Sequence, residues 1–185
     1  MRISILLLLC LFTPLLSAQN NQWKEVKSYE GRFRIMSPGP MKSKVDTVQT
    51  AVGELAYNIH YYQPPDEGRS AHNLLYMVTY CDYPQGALHE DSTELLQEFF
   101  DATMESAASA VLGEVKYDAE RDYRAKPGRF WRIDYLDGEA VIKTWGIVAG
   151  RRYYSVQTIT VASRSLNKVS DHFLDSFRII DPEQP

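Results

Sequence analysis

Few residues in this chain are of a type and spacing that could do chemistry. The stretch MVTYCDYP, Met77 to Pro84, carries Cys81, and the other cysteine, Cys10, lies in the apolar run at the start of the chain. A nucleophilic cysteine needs a lowered pKa and a base within reach. Asp82 follows Cys81 directly, so its negative charge works against a thiolate, and no cysteine-protease signature surrounds the pair. The four histidines, His60, His72, His89 and His172, fall in separate segments, and no spacing joins one of them to the thiol. Alternation along the stretch turns Cys81 to a covered face, the usual setting of a structural free cysteine.

Two other clusters have chemical content. In HED, His89 to Asp91, three metal-ligand types stand together, but they directly precede a helical pattern, where acidic residues favour the positive end of the helix dipole. Capping by Asp91, with Glu94 three residues on, is therefore expected rather than a metal site. In RDYRAKPGRFWR, Arg121 to Arg132, five basic residues stand against one acid and are interleaved with aromatics. Arg121, Arg124, Lys126, Arg129 and Trp131 make this the candidate partner-binding loop, set against the plainer reading of a solvated turn around Pro127-Gly128. No H-E-x-x-H, paired C-x-x-C, Gly-rich phosphate loop or G-x-S-x-G elbow occurs. A catalytic set, a metal and a cofactor are accordingly not expected.

The elements that must position these residues follow from periodicity. WKEVKSYEGRFRIMSPGP gives a short entry at Trp23 to Val26, a turn at Glu30-Gly31 and a strand from Arg32 to Ser37, stopped by Pro38-Gly39-Pro40. SKVDTVQTAVGELAYNIHYYQ reads as a hairpin about Val52-Gly53-Glu54. In NLLYMVTYCDY, Leu74, Tyr76, Val78 and Tyr80 take one face, and Leu75, Met77, Thr79 and Cys81 the other. Neither face is polar, so the sheet is expected to be covered on both sides.

A helix is predicted over about 91–112, because Leu95, Phe99, Thr103, Ala107 and Val111 recur every four residues beside Leu96, Phe100, Met104, Ala108 and Leu112, with Gly113 at its stop. Four strands follow: GEVKYDAER, GRFWRIDYL, AVIKTWGIVA and RYYSVQTITV. Turns at Asp137-Gly138 and Ala149-Gly150 make the last three an antiparallel meander, with Trp131, Ile133 and Tyr135 opposed to Phe130 and Leu136. A second helix is predicted over about 163–177, with Leu166, Val169, Phe173 and Phe177 on one side. The expected fold is α+β: a three-layer α/β/α sandwich around a mainly antiparallel sheet, one helix per face.

The chain opens MRISILLLLCLFTPLLSAQNNQW, with one basic residue, a short apolar run from Ile3 to Leu16 and a small residue at Ala18. This is the pattern of a secretory signal peptide over residues 1–18, cut after Ala18, and the run is shorter than the about 20 residues that span a bilayer. Lipidation at Cys10 is the rival reading, although Leu9 stands where a small residue is usual. Residues 19–185 then form a single domain of a length that buries about 70% of its unfolded surface. With one cysteine left, no internal disulfide is expected. The full chain carries a net charge of -4, which argues against nucleic acid as a general partner.

Trp23, YEGRFRIMSPGP (Tyr29 to Pro40), YCDYP (Tyr80 to Pro84) and FLDSFRI (Phe173 to Ile179) occur in an order similar to that of exported, mostly uncharacterised bacterial proteins. The chain resembles the PsbP-like group, which shares its α/β/α fold with Ran-binding Mog proteins. The resemblance spans nearly the whole chain beyond residue 18, and its motifs are structural. It implies a binding or assembly role toward protein partners, no catalytic residues to carry over, and a final FLDSF helix that docks aromatics under the sheet. The expected function is thus an exported, non-enzymatic module for a protein or envelope component; a small-molecule binder or hydrolase with a fold-assembled site is the alternative.

Overall fold

A computed structural model describes residues 23–50, 52–65, 72–88 and 91–180. The expectations for the signal segment, Cys10, His89 and Glu90 lie outside these residues.

The first strand residues pair early and locally. β1 (Lys24–Ser28) runs antiparallel to β2 (Phe33–Ser37), placing Val26 opposite Ile35. The chain then crosses to a larger sheet through β3 (Lys42–Thr50), β4 (Gly53–Tyr62) and β5 (Leu75–Asp82). After α1 (Thr93–Ala110) come β6 (Glu114–Glu120), β7 (Gly128–Tyr135), β8 (Ala140–Ala149) and β9 (Arg152–Val161). A 3₁₀ turn at Ala162–Arg164, α2 (Lys168–Asp175) and β10 (Arg178–Ile179) close the described chain.

The large sheet has the order β3-β4-β5-β9-β8-β7-β6, and every pair is antiparallel. β7, β8 and β9 form the predicted meander, and the predicted hairpin is β3-β4. The final Arg178–Ile179 pairs with Arg34 and Phe33 of β2, so β1, β2 and β10 make a separate three-stranded sheet. The sequence pattern points to a single sheet. A two-residue strand carries no periodicity, and only the tertiary return of the chain reveals it.

Side-chain alternation divides the core in two. Tyr80, Trp145, Ile147, Tyr154 and Val156 join Phe33, Ile35, Phe173 and Phe177 in one buried cluster. Their strand neighbours Cys81, Ile142, Val148 and Tyr153, with Trp131 and Ile133, join Leu96, Phe100, Met104 and Ala108 of α1 in the other. α1 therefore buries one row spaced by four, while Glu94, Glu98, Asp101 and Glu105 face water. Each fully buried large side chain in such a row contributes about 1.5–3 kcal/mol. Among the described residues the result is a mixed α+β fold with two α-helices and antiparallel sheets.

Three local expectations need correction. α1 begins at Thr93 with Ser92 as its N-cap, and no side chain caps it, so Asp91 does not serve. At its other end Leu112, at φ 51°, takes the left-handed conformation usually left to glycine, and Gly113 is needed for space instead. A Cβ on Gly113 would stand 2.7 Å from Ile133 Cγ2. The second helix is shorter than 163–177. Asn167 caps it, accepting from Ser170 N at 2.7 Å, and this sets the start of α2 beyond Leu166, which is 94% exposed. Phe173 and Phe177 dock under the sheet as expected.

Candidate functional site

Cys81, the last but one residue of β5, stands opposite Tyr153 of β9 and is fully buried. Burial pushes its thiol up to about 12, a hydrogen bond with Tyr57 pulls the other way, and the charge of Asp82 adds to the rise. At neutral pH the sulfur is a thiol, and the residue packs in the core beside Tyr57 and Tyr83. Among the described residues no three His, Cys, Asp or Glu side chains gather as a metal would require.

Asp82 serves another purpose. Register places it opposite Arg152, which donates from Nε at 2.7 Å and Nη2 at 2.6 Å to its two carboxylate oxygens. The same guanidinium donates to the Glu30 carbonyl at 2.8 Å and lies 4.7 Å from the Tyr80 ring centroid. The hydrogen bond from Arg152 holds the Asp82 carboxyl below its ordinary value, against a smaller effect of burial. This pair fastens the β1-β2 turn to the large sheet.

The candidate loop between β6 and β7 is a tight, internally braced turn. Tyr123 and Lys126 exchange both backbone hydrogen bonds, at 2.9 and 3.0 Å, leaving Arg124 and Ala125 at the tip. Tyr123 is buried, and its hydroxyl accepts from Ile179 N at 3.1 Å. Asp122 Oδ1 accepts from Gly128 N at 3.0 Å, closing the base. Gly128 allows this closure: a Cβ there would sit 2.3 Å from the Arg121 carbonyl oxygen.

The five residues singled out in this loop do not form one patch. Arg121 turns toward α2, ion-paired with Asp175 and 4.3 Å from the Trp145 ring centroid, while Trp145 Nε1 donates to the Arg121 carbonyl at 2.7 Å. Arg129 turns toward α1, reaching Asp118 at 2.6 Å and Asp101 at 3.2 Å. Lys126 is half-buried, and Arg124 projects at the tip with φ 56°, its guanidinium 5.6 Å from the Tyr123 ring centroid. Trp131 is 1% exposed, inside the core beneath α1, and so presents no surface to a partner. Its place on an inward-facing strand position follows from the same alternation that puts Ile133 there.

Beside the loop lies a cleft of about 220 Å³ between β7 and the first turns of α1. The buried Leu96 and Phe100 form its floor, Thr93 and Gln97 one wall, and Glu120, Asp122, Pro127, Gly128 and Arg129 the other. Asp122 and Pro127 bracket the Tyr123–Lys126 turn, so the cleft adjoins the base of that turn, while Arg124 at the tip lies over Tyr123 and does not line the cleft. Sequence reasoning missed the helix residues of this cleft because Thr93 and Gln97 look like ordinary solvated positions. A second cavity of about 390 Å³ opens between the small sheet and α2, lined by Glu25, Arg34, His172, Asp175 and Arg178.

No family model matches the chain, and no curated protein matches it in sequence. The solution structure of cyanobacterial PsbP (CyanoP) from Synechocystis sp. PCC 6803 is similar in fold, with a TM-score of 0.55 over 88% of this chain and 95% of that one, at 11% sequence identity. At that identity the likeness shows the fold alone: the chain is PsbP-like in structure. Among the described residues no helix is long and apolar enough to cross a membrane.

Proposed function

We propose that this protein is an exported binding or assembly module with no catalytic centre, and that it grips a protein or envelope component at the corner formed by the Arg121–Arg129 loop and α1. The observation that carries the reading is the cleft floored by Leu96 and Phe100 and walled by Asp122 and Pro127, the two residues that flank the braced turn bearing Arg124 at its tip. An apolar floor with a few fixed polar groups at its rim suits an apolar side chain from a partner segment, with an acidic neighbour directed to Arg124. Bracing of the turn by Tyr123 and Asp122 lowers the ordering cost of binding. The fold proposed beneath this site is a three-layer α/β/α sandwich of the wider group that includes Ran-binding Mog proteins; the division of the core into two clusters on alternating strand residues supports it.

The experiment is capture of partners from envelope extract by the purified protein, comparing wild type with Arg124→Glu and with Gln97→Trp, which fills the cleft from an exposed helix position. Both substitutions should abolish capture of the same partner while leaving the circular dichroism spectrum unchanged. Retained capture by both variants would remove the site. Export is tested separately: the mature protein should begin at Gln19 by mass spectrometry, and an intact Met1 would contradict it.

The second cavity favours a small-molecule reading. Its volume lies in the range of ligand sites, and two guanidinium groups and His172 face it. Arg34 is, however, already 3.2 Å from Glu25, and Arg178 donates to the Asp175 and Phe177 carbonyls at 2.6 Å. These contacts occupy the charge that a ligand would use, and the corner site is preferred.

A further inference from the structure

The two edges of the large sheet are built differently. β6, at one edge, has the sequence EVKYDAE with three acids, and its pairing with β7 is interrupted by an irregularity between Val115 and Tyr117. A bulge and repeated like charge are how edges are kept from pairing with other chains. β3, at the other edge, is nine residues long, pairs with β4 without interruption from Lys42 to Thr50, and is exposed at every residue but the last. Val45 is 61% exposed and Val48 46% exposed. Among the described residues no strand pairs with its outer side and no bulge interrupts it, and its charges, Lys42, Lys44 and Asp46, are of both signs rather than of one, so its outward backbone groups offer a template for a further strand.

The charge pattern of β3 selects the occupant. Antiparallel pairing of β3 with its own copy requires a two-fold axis through one residue, because only then do outward backbone groups and like faces meet. An axis through Lys44 sets Lys42 opposite Asp46 twice but also two Lys44 ammonium groups opposite one another at its centre, and one through Asp46 sets two carboxylates opposite with no opposite-charge pair. An axis through Val45 sets Lys44 opposite Asp46 twice, Val45 opposite Val45, Ser43 opposite Thr47 and Lys42 opposite Val48. Cross-strand pairs of opposite charge support a register, and like charges directly opposite oppose it. Lys44 and Asp46 already lie on one face of the strand, with Nζ 2.5 Å from Oδ2.

We propose that β3 is a self-association edge: two copies of this chain pair antiparallel through residues 42–48 about Val45, joining two seven-stranded sheets into one. The surface is distinct from the α1 corner, so it stands or falls independently of the proposed partner site. One strand pair buries less than a standard stable interface, so the dimer is weak and forms at about micromolar or higher concentration.

Sedimentation equilibrium of the purified protein over a wide concentration range tests it. The wild type should show a monomer–dimer equilibrium. Asp46→Lys, which sets a second ammonium group opposite Lys44 on both sides of the axis, should raise the dissociation constant at least tenfold. The double exchange Lys44→Asp with Asp46→Lys restores opposite charges in the same register and should recover dimerisation. All three proteins should share one circular dichroism spectrum, since both positions are exposed. A wild type that stays monomeric at several hundred micromolar would overturn the proposal, and so would a dimer indifferent to Asp46→Lys or a double exchange that does not recover.

Discussion

Cys81 should resist alkylation in the native protein at neutral pH and label fully in denaturant, because burial raises its pKa to about 12 and denies reagent access. Labelling within minutes under native conditions would contradict this. The alternation that predicts an inward Cys81 was legible in the single stretch MVTYCDYP. The Asp82–Arg152 pair was not, since it depends on the register of strands 70 residues apart. Removing one partner leaves a mostly buried guanidinium, so Asp82→Asn should cost about 1–3 kcal/mol by denaturant titration, the lower half reflecting the partial exposure of the carboxylate. The pH dependence has the same origin. The carboxyl of Asp82 is lowered by Arg152, so its contribution is complete above the ordinary aspartate range and is lost as pH falls through the lower folded value. Burial also lowers the pKa of His60, so a further loss begins as pH drops below 6.5. Acid titration of the melting temperature should therefore fall in two stages, the first absent in His60→Gln.

At the scale of elements, the strands were legible because turn residues and β-rich runs coincide: β8 and β9 match the quoted segments AVIKTWGIVA and RYYSVQTITV almost residue for residue. Helix ends were less so. Leu166 fits the helical spacing yet lies outside α2, because Asn167 takes the cap and the preceding turn points Leu166 to solvent. Leu166→Ala should change stability by less than about 0.5 kcal/mol, as surface substitutions do. Asn167→Ala should cost about 1 kcal/mol. At the end of α1, Leu112 carries a left-handed backbone with 94% exposure and no packing to offset it. Leu112→Gly should therefore stabilise the protein by about 0.5–1 kcal/mol, read as a shift in the denaturant midpoint. A destabilised Leu112→Gly would show that the side chain contributes more than its exposure indicates.

For the whole molecule, composition and the opening residues shape the expected destination of the protein, and two-sided apolar strands anticipate a sheet covered on both faces. The corner site could not be read in advance, since it joins the start of α1 to a loop beyond β6 that only the fold brings alongside, and the split of Arg121 and Arg129 to opposite faces depends on Asp175 and Asp101. The central claim is that this corner meets a protein partner. Site-specific photo-crosslinking tests it most directly, with a photoreactive residue in place of Gln97 and, as a control, of the exposed but remote Leu166. In envelope extract the Gln97 probe should form one dominant adduct that Arg124→Glu abolishes, while the Leu166 probe forms none. Equal adducts from both positions, or an adduct at Gln97 that persists with Arg124→Glu, would contradict the account.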